Sequence, residues 1–109
     1  MKLKIEGNDL EYKKAKNALP DSFWETYSAF ANTNGGKIIL GIDEKNEDPY
    51  QGVNDPQKIR DNLFALVANK QKVSCNLLTD NDIEYVSIPD KERQLMVITI
   101  REASSDQKP

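Results

Sequence analysis

Apolar and charged positions alternate along Leu10-Glu11-Tyr12-Lys13, the pattern of a short strand with one wet face. Phe23, Tyr27, Phe30 and Ala31 then recur at helical spacing with Trp24 beside them, which predicts a helix packed through one stripe. Pro20 suits the entry to that helix, and Ser22 and Glu25 have the spacing of a capping box. Asn34-Gly35-Gly36 predicts its stop, because these residues tolerate the positive φ of a helix C-terminus. Ile38 to Ile42 is a continuous apolar run and predicts a central strand covered on both faces. A polar loop from Asp43 to Gly52 follows. Asp55-Pro56 supplies an N-cap and a first-turn proline for a second helix to about Lys70, with Ile59, Leu63, Leu66 and Val67 as its apolar stripe. Val73, Cys75 and Leu77 alternate in an extended connector. Ile83 to Ile88 and Leu95 to Ile100 flank Pro89-Asp90-Lys91-Glu92-Arg93 as an antiparallel hairpin. The order strand, helix, strand, helix, strand, strand predicts an α+β chain, an α/β sandwich of two helices on a mixed sheet. Right-handed crossovers make its first two strands parallel.

Composition narrows the chemistry. The chain has 109 residues, the length of one domain. Cys75 is its single cysteine and it has no histidine, so an intrachain disulfide, a Ser-His-Asp or Cys-His site and a His-ligated metal are excluded. No window resembles a membrane span or a secretory signal, so the expected setting is cytoplasmic. No phosphate-cradling Gly-x-x-x-x-Gly-Lys-Ser/Thr loop is present, and the one double glycine precedes a strand instead of opening a helix. ATP hydrolysis is therefore not expected. Residues 103–109 are polar and read as a linker after a domain spanning 1–102.

The net charge of −3 excludes a uniformly basic surface. The charges are nevertheless segregated. Residues 1–19 carry five lysines against three acids, and residues 57–73 carry Lys58, Arg60, Lys70 and Lys72 against Asp61 alone. Between them, residues 42–56 carry five acids against Lys45. The basic segments suit contacts to backbone phosphates, although lysines on helices are also ordinary solvated faces. Glu6 and Glu11 lie around the first strand, and Asp43 and Glu44 follow the central one. Carboxylates converging at strand ends can hold Mg²⁺ or Mn²⁺, and they can equally be solvated surface acids. The aromatics of the first helix could stack bases, but their spacing points to core.

The residues from Leu10-Glu11-Tyr12-Lys13 through Ala29-Phe30-Ala31-Asn32-Thr33-Asn34-Gly35-Gly36 to Leu40-Gly41-Ile42-Asp43 resemble the Schlafen AlbA-type domain, also called the divergent AAA-type domain. The return at Gln51-Gly52-Val53 and the helix after Asp55-Pro56 extend the likeness from Glu6 to about Ile100. The resemblance implies an Alba-like fold and a DNA- or RNA-binding module. Such domains stand at the front of bacterial transcriptional regulators or RecG-related proteins with a helicase name, often as homodimers followed by further C-terminal domains. On this reading Lys13, Lys14, Lys16, Lys58, Lys70 and Lys72 are the candidate phosphate contacts.

Some eukaryotic relatives are endoribonucleases with two glutamates at Glu-x-x-x-x-Glu spacing and an aspartate after the Gly-hydrophobic strand. Glu6, Glu11 and Asp43 match those positions. The alternative reading is therefore an endoribonuclease with Mg²⁺ or Mn²⁺ on these three carboxylates, although those nucleases form a duplicated clamp that one short domain lacks. A third reading is a dimerisation or protein-interaction domain.

Overall fold

The alternation at the start of the chain is realised as β1, Leu10–Lys13. The computed structural model describes residues 9–16, 18–67, 80–89 and 92–102. Helix α1, Phe23–Asn32, and strand β2, Gly36–Leu40, come next. They are followed by helix α2, Pro56–Val67, a 3₁₀ turn at Asp80–Asp82, β3, Ile83–Ser87, and β4, Gln94–Ile100. Among the described residues this is an α+β arrangement of two helices and four strands in the order β1-β2-β4-β3. As expected, β1 is parallel to β2, while β4 is antiparallel to both β2 and β3. Val73, Cys75, Leu77, the expected last turn of the second helix and the polar tail lie outside the described residues.

The helical stripes pack on one face of the sheet. Phe23, Tyr27, Phe30 and Ala31 of α1 and Ile59 and Leu63 of α2 form one cluster with Ile38, Leu40, Met96, Ile98 and Ile100. Phe23, Ile38, Leu63 and Met96 are fully buried, and such side chains contribute about 1.5–3 kcal/mol each. Leu66 is half-buried, and Phe64, outside the expected stripe, also packs against this core. The opposite face carries a smaller cluster of Tyr12, Ile42, Ile88 and Leu95, against which Leu10, Ile39, Tyr50 and Val86 pack. The central strand is thus sealed on the helix face only. On the other face Ile39 stays half-buried, because no described helix covers it and shielding comes from neighbouring strands and a loop.

Local chemistry explains where the elements stop. Gly35, at φ +79°, donates its N–H to the Phe30 carbonyl at 2.8 Å and turns the chain from α1 into β2. A Cβ at Gly35 would lie 2.6 Å from the Ile100 carbonyl oxygen. Strand β2 ends earlier than the apolar run suggests: Gly41 takes φ +103°, and Ile42 is left in an isolated antiparallel bridge with Tyr50. The capping box does not form. Ser22 already has helical dihedrals and makes no side-chain cap bond, whereas a capping side chain reaches back from an extended residue. The second cap does form: Asp55 Oδ1 accepts the Lys58 N–H at 3.1 Å, with Pro56 opening α2.

The acid-rich loop after β2 is organised by its own side chains. Asp43 Oδ1 accepts the Lys45 N–H, Asn46 Oδ1 the Asp48 N–H and Asp48 Oδ1 the Tyr50 N–H, each at 3.1 Å. These are successive Asx turns, in which a side-chain oxygen holds the backbone two residues on. The loop closes where Asp43 donates its N–H to the Pro49 carbonyl at 2.9 Å.

Two outcomes follow. Gly35→Ala, strained in φ and crowded against Ile100, loses about 2 kcal/mol, or roughly 10 °C in melting temperature for a chain of this size; thermal unfolding by circular dichroism measures it, and an unchanged transition refutes the turn argument. Asp43→Ala loses about 1 kcal/mol in urea unfolding, and Asp43→Asn, which keeps the accepting oxygen, stays within about 0.5 kcal/mol of the parent.

Candidate nucleic-acid interface

Pairing in β1 sets the direction of its charged side chains. Its register opposes Glu11 to Ile38 and Lys13 to Leu40, both core residues of the helix face, and Leu10 and Tyr12 to Lys37 and Ile39 on the open face. Glu11 and Lys13 therefore share the helix side of this edge strand. The Lys13 side chain is only 14% exposed: its Nζ donates to Ser22 Oγ at 3.0 Å and lies 3.6 Å from Glu11 Oε1. Its ammonium ties the sheet edge to the start of α1, which leaves it less available to an outside anion than its neighbours.

Lys14 and Lys16 are exposed on either side of buried Ala15. Two sets of backbone bonds hold this stretch. The Lys13 carbonyl accepts the N–H groups of Gly41 and Ile42 at 2.9 and 3.3 Å, and the Lys16 carbonyl accepts the Asn54 N–H at 2.9 Å. Asn54 directly precedes the Asp55 cap of α2, and exposed Lys58 lies in the first turn of that helix. The fold thereby joins the lysines after β1 to the basic start of α2, two segments about 40 residues apart in sequence. Lys70 and Lys72 lie outside the described residues.

The candidate carboxylates have visible structural work. Glu11 faces Lys13, and Asp43 holds the turn after β2. Glu6 lies outside the described residues. Among the described residues, no group of three His, Cys, Asp or Glu side chains is arranged to hold a metal ion.

Sequence reasoning did not anticipate a groove of about 900 Å³ across the open face of the sheet. Leu10, Tyr12, Ile39, Leu95 and Val97 form much of its apolar lining, with Lys37, Glu84 and Arg101 among its charged residues. The signal for it was the alternation in β1, whose apolar positions point away from the helices.

The arginines are engaged in holding the fold. Arg60 lies over the Phe64 ring at 5.1 Å. Arg93 donates to the Gln51 carbonyl at 3.0 Å, and Arg101 donates to Asp82 at 3.1 Å.

The fold has a solved counterpart. The N-terminal domain of a Nitrosomonas europaea protein named as an ATP-dependent DNA helicase RecG-related protein, determined in solution by NMR, is similar with a TM-score of 0.70 and 26% identity. The similarity covers 95% of this chain and 69% of that one. No match was found among curated proteins. The model of the family described as Schlafen, AlbA_2 matches residues 6–109. With this match over nearly the whole chain, and the strand-helix-strand signature folded as a mixed sheet under two helices, the chain belongs to the Schlafen AlbA_2 family.

Proposed function

We propose that the chain is a nucleic-acid-binding module that contacts phosphates through Lys14, Lys16 and Lys58. The observation that carries this reading is the Asn54 N–H bond to the Lys16 carbonyl, which couples the two lysine-bearing segments through the backbone. Three exposed ammonium groups on restrained backbone lose less freedom on binding than the same groups on a tail, and they release counterions from the polyanion. Membership in the family and the RecG-related name of the structural neighbour support a role connected with DNA. Lys13 acts as a positioning residue, since its bond to Ser22 anchors the strand from which Lys14 and Lys16 follow.

The acid-rich loop limits affinity. It begins directly after Ile42, whose N–H bonds the Lys13 carbonyl, so it starts beside the stretch that carries Lys14, and exposed charges act on one another within a Debye length of about 10 Å at 0.1 M salt. The module is accordingly a weak, salt-sensitive binder.

Fluorescence anisotropy with a labelled DNA duplex tests the reading. The parent binds at about 50 mM salt and weakens steeply as salt rises; the Lys14→Ala, Lys16→Ala, Lys58→Ala triple variant loses at least about tenfold in affinity, and its log-log salt slope falls by about 2.7. No binding, or an unaltered triple variant with intact circular dichroism, overturns the proposal. The Glu44→Gln, Glu47→Gln variant binds about two- to fivefold tighter at low salt, and the gain disappears toward 1 M salt, where charges are screened within about 3 Å.

A further inference from the structure

Among the described residues β3 ends the sheet, with β4 as its neighbour on one side. One bond at the hairpin end fixes the direction of its backbone groups. Ile88 donates its N–H to the Arg93 carbonyl at 3.1 Å, and the register continues that pairing from Ser87 opposite Gln94 to Ile83 opposite Ile98. Bonded pairs alternate with unbonded ones in an antiparallel ladder. Val86 and Glu84 therefore turn their N–H and C=O groups to β4, and Tyr85 and Ser87 turn theirs outward. Gln94 shows the same alternation from the other strand, since its carbonyl points away from β3 and accepts the Val53 N–H at 2.9 Å.

The side chains of this edge also face outward. Glu84 and Ser87 are exposed, and Tyr85, at the centre of the strand, is 41% exposed, the one exposed large hydrophobic among the described residues. Natural sheet edges are guarded by proline, by lysine or by short length. The sequence Ile-Glu-Tyr-Val-Ser of β3 runs for five residues and has neither proline nor lysine. The opposite edge differs, because β1 has four residues and carries the ion pair of Glu11 with Lys13.

A second β3 fits this edge best in one register. Antiparallel pairing about a two-fold axis uses the same patch on both copies, and residues placed opposite each other share a sheet face. Centring on Tyr85 meets both conditions and engages all five residues. Tyr85 then faces the partner's Tyr85, exchanging its outward N–H and C=O and forming an aromatic pair, while Glu84 faces the partner's Val86 and Ile83 the partner's Ser87. A shift of two residues one way sets Glu84 against the partner's Glu84, like charges directly opposite, which is destabilising. The opposite shift sets Tyr85 against the partner's Ser87 and loses the aromatic pair.

We infer that a second copy of this chain docks on the β3 edge, joining two four-stranded sheets into one with Tyr85 at the two-fold axis. The junction lies at the far edge from β1 and leaves uncovered the lysines that follow it, so it stands whether or not these bind nucleic acid. A single strand pair is smaller than the about 1,200 Å² of a stable interface, and association accordingly rises with concentration. Sedimentation equilibrium from about 10 μM to about 1 mM measures it. The mean mass of the parent climbs toward that of a dimer and no further. Tyr85→Lys, which opposes two ammonium groups, and Ser87→Pro, which removes an outward N–H and leaves the β4 ladder intact, each weaken association at least about tenfold with unchanged circular dichroism. Lys37→Glu, on the open face of the sheet, leaves it within about twofold. In the parent, amide hydrogen exchange at Tyr85 slows at least about threefold across the same range, a readout that needs no variant. A monomer throughout, a mass that passes the dimer, association that either folded variant leaves intact, loss of association in Lys37→Glu, or exchange at Tyr85 that ignores concentration overturns the inference.

Discussion

The parallel pairing of β1 with β2, closed by the Lys13 carbonyl as it accepts the N–H groups of both Gly41 and Ile42, is the constraint on which the remaining structure depends. Parallel neighbours cannot be joined by a tight turn and need a crossover. Helix α1 is that crossover, and it must turn sharply at Gly35 to deliver Gly36 into register against Ile100 of β4. Closure at Lys13 also decides where the chain leaves the sheet. The acid-rich loop departs from one side of the bond, and the Lys14-Ala15-Lys16 stretch departs from the other. One hydrogen-bonded corner therefore sets both charged regions of the surface.

Much of this was legible in the chain itself. Strong periodicity marked α1 and α2, and Asp55-Pro56 marked the start of α2 because a cap and a first-turn proline act locally. The alternation of Leu10 and Tyr12 marked β1. The misreadings occur where a tertiary partner decides. Ser22 has the sequence context of a cap, yet its hydroxyl accepts the Lys13 ammonium from across the sheet edge. The run from Ile38 to Ile42 reads as one strand, but a left-handed Gly41 sends Ile42 to pair with Tyr50. Hydrophobicity alone placed β2 under cover on both faces, whereas both helices pack on one. For the candidate site, lysine clustering was visible in sequence, but the joining of its segments through Asn54 depends on a contact 38 residues distant from Lys16.

The carboxylates illustrate why residue type and spacing do not settle a role. Asp43 follows a Gly-hydrophobic pair at a strand end, a position that suits a metal ligand. In the fold its oxygen holds the first of three Asx turns, which let a loop rich in like charges keep one course without regular secondary structure. Glu11, on the helix side of β1, has the Lys13 ammonium beside it. Both acids thus contribute to the same corner that presents the lysines.

The division of work between the two kinds of cation follows from their chemistry. A guanidinium is planar and weakly hydrated, so it can lie on an aromatic ring or hold a carbonyl at modest desolvation cost. Arg60 on Phe64 and Arg93 on the Gln51 carbonyl use it in that way. An ammonium on a flexible stem keeps its water unless drawn inward, and among the described residues Lys13 is the lysine for which the fold makes that exception. Lys14, Lys16 and Lys58 remain at the surface. A chain with net charge −3 can present a positive contact region on these terms, because long-range repulsion between exposed charges is screened beyond about 10 Å at 0.1 M salt while a phosphate at the lysines meets them at contact distance. On the proposed reading, local spacing and ionic strength set the affinity, and the total charge has little bearing on it.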